Sequence, residues 1–301
     1  MSDAPSPLRS GFVALVGWTN VGKSTLLNRL VGTKLAAVAD VAQTTRHRIL
    51  GALSCPLRGQ IVFIDTPGLH EPRHRMNHAM VHAARQVIGE ADVVALVIDA
   101  SRGPGPGDRK AARALADADV QRLALLNKVD RVQPKTKLLP MMQEIAEGWG
   151  IPRVVPISAT TGDGCDELVD ELFGLLPESA PLYPDDFLTD QPQRELAAEW
   201  IREKILHHTR EELPHATAVT IERWSERDNG LIDIDATVYV ERDSQKAIVI
   251  GKQGDVLKRV GSEARVELEE LLEQRVFLRL WVKVKPGWRD DKATLRELGL
   301  S

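Results

Sequence analysis

The sequence predicts an α/β chain in which a mostly parallel sheet carries helices on both faces and is followed by a small α+β unit. Three observations predict it. Apolar runs recur at 12–16, 61–64, 93–98, 123–126 and 154–157, with amphipathic segments at 76–90, 108–118, 138–149 and 166–176 between and after them; such runs suit strands covered on both faces. A glycine-bounded loop, Gly17-Trp18-Thr19-Asn20-Val21-Gly22-Lys23-Ser24, follows the first run and leads into the apolar-periodic stretch Thr25-Leu26-Leu27-Asn28-Arg29-Leu30. Beyond residue 192 the pattern changes to an amphipathic helix, then two strand-like runs joined at Asn229-Gly230, a hairpin signal.

A chain of 301 residues is long for one core. The predicted boundaries are a flexible tail at 1–10, a first domain at 11–177, a proline-rich linker at 178–192, and a second domain with its C-terminal tail at 193–301. With 39 basic and 43 acidic side chains the net charge is −4, which argues against an evenly basic surface but leaves room for a local basic face. Cys55 and Cys165 have no CxxC spacing, so neither a disulfide framework nor a zinc knuckle is suggested, and a reducing cytosolic compartment fits. The first ten residues lack the apolar core of a signal peptide. The longest apolar run, 93–98, is far short of the roughly 20 residues of a membrane span. The expectation is a soluble protein, with peripheral association on the inner face of the membrane left open.

In a parallel sheet, ligands sit at the carboxyl ends of the strands, and the chemically informative residues do follow the runs. The loop at 17–24 reads as a phosphate cradle of inward backbone N–H groups backed by a helix N-terminus, with Lys23 reaching the β- and γ-phosphates and Ser24 on Mg²⁺. After the second run comes Asp65-Thr66-Pro67-Gly68: Asp65 holds a water on the metal, and Gly68 brings its N–H to the γ-phosphate. After the fourth comes Asn127-Lys128-Val129-Asp130. The Asp130 carboxylate accepts from guanine N1–H and the exocyclic amine, Asn127 supports the base edge and neighbouring loops, and Lys128 lays its stem across the base. After the fifth, Ser158-Ala159 lets a backbone N–H approach guanine O6. Within Gln43-Thr44-Thr45-Arg46-His47, Thr45 is chosen over Thr44 as the second Mg²⁺ hydroxyl, although spacing does not decide between them. The histidines at 70, 74, 78 and 82 recur at four-residue spacing but lack a zinc-type ligand pattern, and are read as surface.

The set GWTNVGKS, QTTRH, DTPG, NKVD and ISA resembles the translation-factor-related small GTPases, and QTTRHR with DTPGLHEPRHRMNHAM resembles the bacterial Era GTPases within that class. The resemblance covers nearly the whole chain apart from the first ten residues. It implies phosphate contacts from Asn20 to Thr25, Mg²⁺ on Ser24 and Thr45, and base reading by Asn127, Lys128 and Asp130. One position departs from the Ras-like pattern: Leu69 follows Asp-Thr-Pro-Gly where those enzymes carry a water-orienting glutamine. Hydrolysis must then rest on Lys23, Mg²⁺, backbone N–H groups at Thr45 and Gly68, and a partner or second cation. Asn20 resembles the loop asparagine that binds K⁺ in related GTPases, which implies slow, K⁺-stimulated turnover.

The second half reads helix, strand, strand, helix, Gly251-Lys252-Gln253-Gly254, helix, strand, the order of a KH domain of prokaryotic topology. Two flexible glycines let a single-stranded nucleic acid backbone pack on the loop, with Lys252 and Lys258 offering charge and Val249 and Ile250 a floor for bases. Arg259, Arg279, Lys283, Lys285 and Arg289 extend a local basic face, while Trp281 and Trp288, which could stack on bases, sit where an indole more often packs and are not assigned to the RNA. The stretch IVIGKQGDVLKRVGSEARVELEELL resembles the Era KH segment. This implies binding to the 3′ end of 16S rRNA and a role in 16S processing and 30S subunit biogenesis by a monomeric GTPase. The alternative is a regulatory GTPase at the membrane or in cell-cycle control with little intrinsic hydrolysis.

Overall fold

In the computed structural model, which describes residues 7–39, 41, 44–68, 75–116, 119–209 and 213–298, the apolar runs of the first half become β1 (Arg9–Gly17), β3 (Gly59–Asp65), β4 (Val93–Asp99), β5 (Gln121–Asn127) and β6 (Val154–Pro156). With β2 (Ile49–Cys55) they form a six-stranded sheet in the order β2-β3-β1-β4-β5-β6, parallel except for the antiparallel β2–β3 pair. Alternate residues of each strand enter opposite cores, the period of two that a strand imposes. Val13 and Leu15 pack with Leu26 and Leu27 of α1 (Lys23–Val31) and Leu168 and Leu172 of α5 (Cys165–Leu175). Ala14 and Val16 pack with Val87 and Ile88 of α2 (Arg75–Glu90), Leu115 of α3 (Pro106–Ala116) and Leu138 of α4 (Leu138–Gln143). The helix expected over 138–149 thus ends early as an α-helix and continues as a wider π turn at Glu144–Gly148.

The chain falls into two units, one of the described residues within 1–36, 45–72 and 80–190, the other of those within 37–44, 73–79 and 191–301. Two expectations need adjusting. Residues 9 and 10, read as tail, begin β1, where the Ser10 hydroxyl accepts from Gln60 N at 3.0 Å. The supposed linker is ordered on the first unit through residue 190. The Gln60 side chain accepts from the N–H of Leu182 (3.0 Å) and Tyr183 (2.9 Å), Ala52 N donates to Leu188 O at 2.9 Å, and Tyr183 stacks on Phe187 with ring centroids 4.1 Å apart. Prolines removed the periodicity there, and one buried glutamine supplies the backbone partners that regular structure would have provided.

The second unit contains α6 (Gln193–His208), α7 (Leu213–Ala216), β7 (Ala218–Glu226), β8 (Ile232–Val240), α8 (Asp243–Ile250), α9 (Asp255–Leu272), β9 (Val276–Val284) and α10 (Lys292–Glu297). Its sheet runs β7-β8-β9, with β8 antiparallel to β7 and parallel to β9. Ile201 and Ile205 of α6, and Val260, Ala264 and Leu268 of α9, cover one face of that sheet. Arg202 of α6 is fully buried, bound through Nε to Glu199 at 3.0 and 3.2 Å, and donates to the Thr44 carbonyl within the same unit.

Candidate nucleotide site and nucleic-acid interface

The loop between β1 and α1 is shaped by backbone that side chains tolerate poorly: Gly22 has φ 99° and a Cβ there would overlap the Asn127 amide, while Asn20 has φ 60°. Lys23, buried at the start of α1, donates to the carbonyls of Gly17 (3.3 Å) and Trp18 (3.1 Å). Burial pulls its ammonium below the usual lysine value against the attraction of Asp65. This is a buried ammonium whose hydrogen bonds go to backbone carbonyls. Gly68 sits against the same loop, where a Cβ would meet Thr19 Cγ2 at 2.9 Å. Thr66 spends its hydroxyl on Leu15 O at 2.8 Å, anchoring the turn at Pro67 to the sheet.

Three oxygen-bearing side chains converge beside Lys23. Ser24 Oγ lies 2.6 Å from Thr45 Oγ1 and 2.7 Å from Asp65 Oδ2, and Thr45 Oγ1 is 3.2 Å from that same carboxylate oxygen. Asp65 is fully buried, and its Oδ1 lacks a hydrogen-bond partner among the described residues. Burial raises its carboxyl, opposed by the Lys23 charge and the Ser24 and Thr45 hydrogen bonds. Hard oxygens around an unsatisfied carboxylate fit Mg²⁺. Thr44 is turned away, its hydroxyl donating to Val41 O at 2.8 Å, so Thr45 is the threonine in the cluster.

At the ends of β5 and β6, Asn127 ties three segments together: Nδ2 donates to Val21 O at 2.8 Å, and Oδ1 accepts from Lys128 N (2.8 Å) and Ala159 N (2.9 Å). Its role here is to hold loops, and the Ala159 N–H expected to face a base is engaged with it. Asp130 Oδ1 accepts from Ser158 Oγ at 2.6 Å, which aims the carboxylate. Lys128, with φ 65°, donates to Asn20 O at 2.6 Å and to Asp99 Oδ2 at 2.7 Å. The loop after β5 is thereby fastened to the loop between β1 and α1.

In the second unit, α8 ends at Gly251 (φ 76°), where a Cβ would stand 2.5 Å from Val256 Cγ2, and Gly254 (φ 82°) caps α9. Lys252 and Gln253 are exposed at the tip. Beside them a groove of about 440 Å³ runs between α9 and β9, lined by Leu257, Lys258, Arg265, Leu278 and Leu280 among others. Arg265 is a groove cation that the sequence reading missed; it falls seven residues after Lys258, two turns along one helix face. Val249 is not a floor for bases: it is fully buried in the core, and only Ile250 stays partly accessible. Arg259, Arg279 and Arg289, expected in a basic face, are paired with Asp255, Asp235 and Glu241. Trp288 is a core residue whose indole N–H donates to Ala216 O at 3.1 Å, whereas Trp281 remains 44% exposed.

Residues 12–128 match the family described as 50S ribosome-binding GTPase, and residues 212–289 match the KH domain. GTPase Era of Geobacter metallireducens is 48% identical over 300 residues, 99% of each chain, and GTPase Era of Xanthomonas axonopodis pv. citri is 47% identical over 300 residues, again 99% of each. The chain belongs to the Era GTPase family. Two solved Era structures superpose along its length. One is Era in complex with MgGDPNP and nucleotides 1506–1542 of 16S ribosomal RNA (TM-score 0.94, 41% identity, 98% of this chain and 99% of that one). The other is an Aquifex aeolicus Era variant bound to GDP and AlF4⁻ (TM-score 0.94, 42% identity, 98% and 100%).

Seen as an Era-type site, the arrangement includes Asp99, which the sequence reading passed over although it ends the third apolar run. Its side chain is 9% exposed and accepts from Lys128 and, through Oδ1, from Ser101 N (3.0 Å) and Oγ (2.6 Å). Burial alone would raise its carboxyl, but the Lys128 and Ser101 hydrogen bonds outweigh it and leave it below the usual value. Asp99→Ala is expected to release GDP about tenfold faster, the scale of one lost charge-assisted hydrogen bond; stopped-flow displacement of a fluorescent GDP measures it. The sign with pH also follows. The Asp99 contribution to stability is present above the ordinary value of 3.8 and lost as pH falls through its lowered folded value, so acid titration of the variant should lack that loss. Among the Era-family motifs, Leu69, Gln43, His70 and His74 lie outside the described residues. No helix of the described residues is long and apolar enough to cross a membrane.

Proposed function

We propose that this chain is a cytoplasmic GTP-hydrolysing assembly factor that binds the 3′ end of 16S rRNA through its GxxG groove during 30S biogenesis, with nucleotide state setting its grip on RNA. The observation that carries the reading is the presence, in one polypeptide, of Asp130 held by Ser158 on a loop fastened through Lys128 to the loop between β1 and α1, and of a glycine-kinked loop opening on a cation-lined groove. It is supported by the Era relative's bound RNA and MgGDPNP.

In this reading Gly17, Trp18, Thr19, Asn20, Val21, Gly22, Lys23, Ser24 and Thr25 wrap the phosphates, and Thr66, Pro67 and Gly68 close on the γ-phosphate. Ser24, Thr45 and Asp65 would hold Mg²⁺, which supplies charge neutralisation between the β- and γ-phosphates when bound. Lys23 takes up charge on the transferring phosphoryl group, with the Thr45 and Gly68 backbone N–H groups beside it. Asp130 and Lys128 read guanine, with Asn127, Ser158 and Ala159 keeping them in place. Ile250, Gly251, Lys252, Gln253, Gly254 and Lys258 meet the RNA.

Turnover is slow, because Leu69 cannot orient the attacking water, and K⁺ at Asn20 raises it. Single-turnover hydrolysis at equal ionic strength is expected to run faster in K⁺ than in Na⁺, and equal rates would discard the cation. RNA affinity measured with a GTP analogue and then with GDP, on a 16S 3′-end oligonucleotide, tests the function itself. Loss of binding in Gly251→Ala, where the Cβ has no room, alongside unchanged GDP affinity would assign the RNA to this loop.

A further inference from the structure

One face of the β7-β8-β9 sheet is covered by α6 and α9. The opposite face is left with an arrangement that a merely solvated surface does not need. Successive odd-numbered residues of β9 point outward there, and two of them, Phe277 and Trp281, are each 44% exposed. Arg279 lies between them in sequence, its guanidinium 5.5 Å from the Phe277 ring centroid and 5.7 Å from that of Trp281. The Arg227 guanidinium also lies over the Phe277 ring, 5.6 Å from its centroid.

Both arginines are aimed from below. Arg279 binds Asp235 through Nε at 2.6 Å and Nη2 at 3.0 Å, and Arg227 binds Asp233 through Nε at 2.5 Å and Nη2 at 2.6 Å. The acids are the covered partners, with side chains 15% and 5% exposed, while the arginine side chains remain 41% and 49% exposed. The outermost layer therefore presents aromatic rings and guanidinium planes, the arginine charges balanced by Asp235 and Asp233 and the flat groups fixed in orientation by those bidentate pairs. Such a layer suits unpaired nucleotides, whose bases stack on rings and guanidinium planes.

Its location supplies the second argument. β9 is an edge strand, and its even-numbered residues Leu278 and Leu280 line the GxxG groove. The groove and the aromatic face are thus two sides of a single strand. A GxxG loop clamps about four nucleotides, so a longer unpaired strand leaving the groove meets the edge of β9.

We propose that the outer face of this sheet, centred on Phe277, Arg279 and Trp281, is a second RNA-binding surface that stacks unpaired nucleotides continuing from the GxxG groove. The inference rests on the groove being an RNA site. Two labelled single-stranded RNAs from the 16S 3′ end separate the two claims: one of about four nucleotides, which fills only the groove, and one extended by about six more, within the span a stacking surface tracks. In the full-length protein, the Phe277→Ala/Trp281→Ala double variant is expected to lose about tenfold to a hundredfold affinity for the longer RNA, the scale of base-aromatic stacking, and to bind the short one within about twofold of the parent. Both rings are half exposed, so the fold should persist, which a thermal melt verifies; Lys283→Glu on the same strand should weaken the longer RNA alone and steepen no other property. Unchanged affinity of the double variant for the longer RNA overturns the proposal and leaves the face to a protein partner. Equal gain from a base-paired extension overturns it as well. If the parent protein binds neither RNA, the groove reading itself has failed.

Discussion

Asp130→Asn is expected to cost about four orders of magnitude in GDP affinity, the scale at which a site built to hydrogen-bond a substrate rejects the wrong partner. The carboxylate is held by Ser158 Oγ at 2.6 Å, so it cannot swing aside to relieve a mismatch. A carboxamide in that position can still accept from Ser158, but it turns an N–H toward guanine donors, leaving donor against donor in a partly desolvated pocket. Xanthine carries a carbonyl where guanine has its amine, so the variant should prefer XDP. Calorimetric titration with GDP and XDP decides the point: a loss below about tenfold on GDP would mean that Asp130 does not face the base.

Lys23→Met should abolish measurable turnover, lowering the single-turnover rate by at least about a hundredfold to a thousandfold, as when a preorganised charge donor is removed from a transition state. The same change should also lower the stability of the nucleotide-free protein, because it removes the charge that opposes burial of the Asp65 carboxylate. In the folded chain Lys23 is buried with two backbone carbonyls at 3.1 and 3.3 Å as its hydrogen-bond acceptors, and its ammonium is held below the usual lysine value by that burial. A methionine of similar length fills the same space but leaves Asp65 without that opposing charge. Thermal melting beside a hydrolysis assay separates the two effects. A folded variant that hydrolyses GTP at the parent rate would refute the assignment of Lys23 to the phosphates.

Much of this site could be read from residue order because each loop follows an apolar run. The strand burial that makes the run also places the loop at the same sheet edge, so Lys23, Ser24, Asp65, Asn127, Asp130 and Ser158 were found by position. Asp99 obeys the same rule and was missed. Its partner Lys128 is 29 residues away and, among the motif residues, was read as a base-covering stem, so no local pattern announced the pair. The Thr44 and Thr45 ambiguity is of the same kind: adjacent hydroxyls are equivalent until the path of the backbone turns one to Asp65 and the other to Val41.

In the second unit, element order was legible because alternation and glycine turns are local. Which cations stay available was not, because pairing is decided across strands: Asp235 faces Arg279 through the β8–β9 register. The segment 178–190 shows the same division from the other side. Its prolines excluded helix and strand, which is all that composition can say, while its docking on Gln60 depends on a side chain 122 and 123 residues earlier than Leu182 and Tyr183. By itself the sequence determined the α/β class, the loop chemistry and the KH order, since these follow from burial period and backbone permissiveness within a few residues. Tertiary structure alone decided that Thr45 joins the oxygen cluster, that Asp99 locks Lys128 to the phosphate loop, and that Val249 and Trp288 are core while Phe277 and Trp281 face water. Those outcomes depend on distances between residues far apart in the chain, which only packing sets.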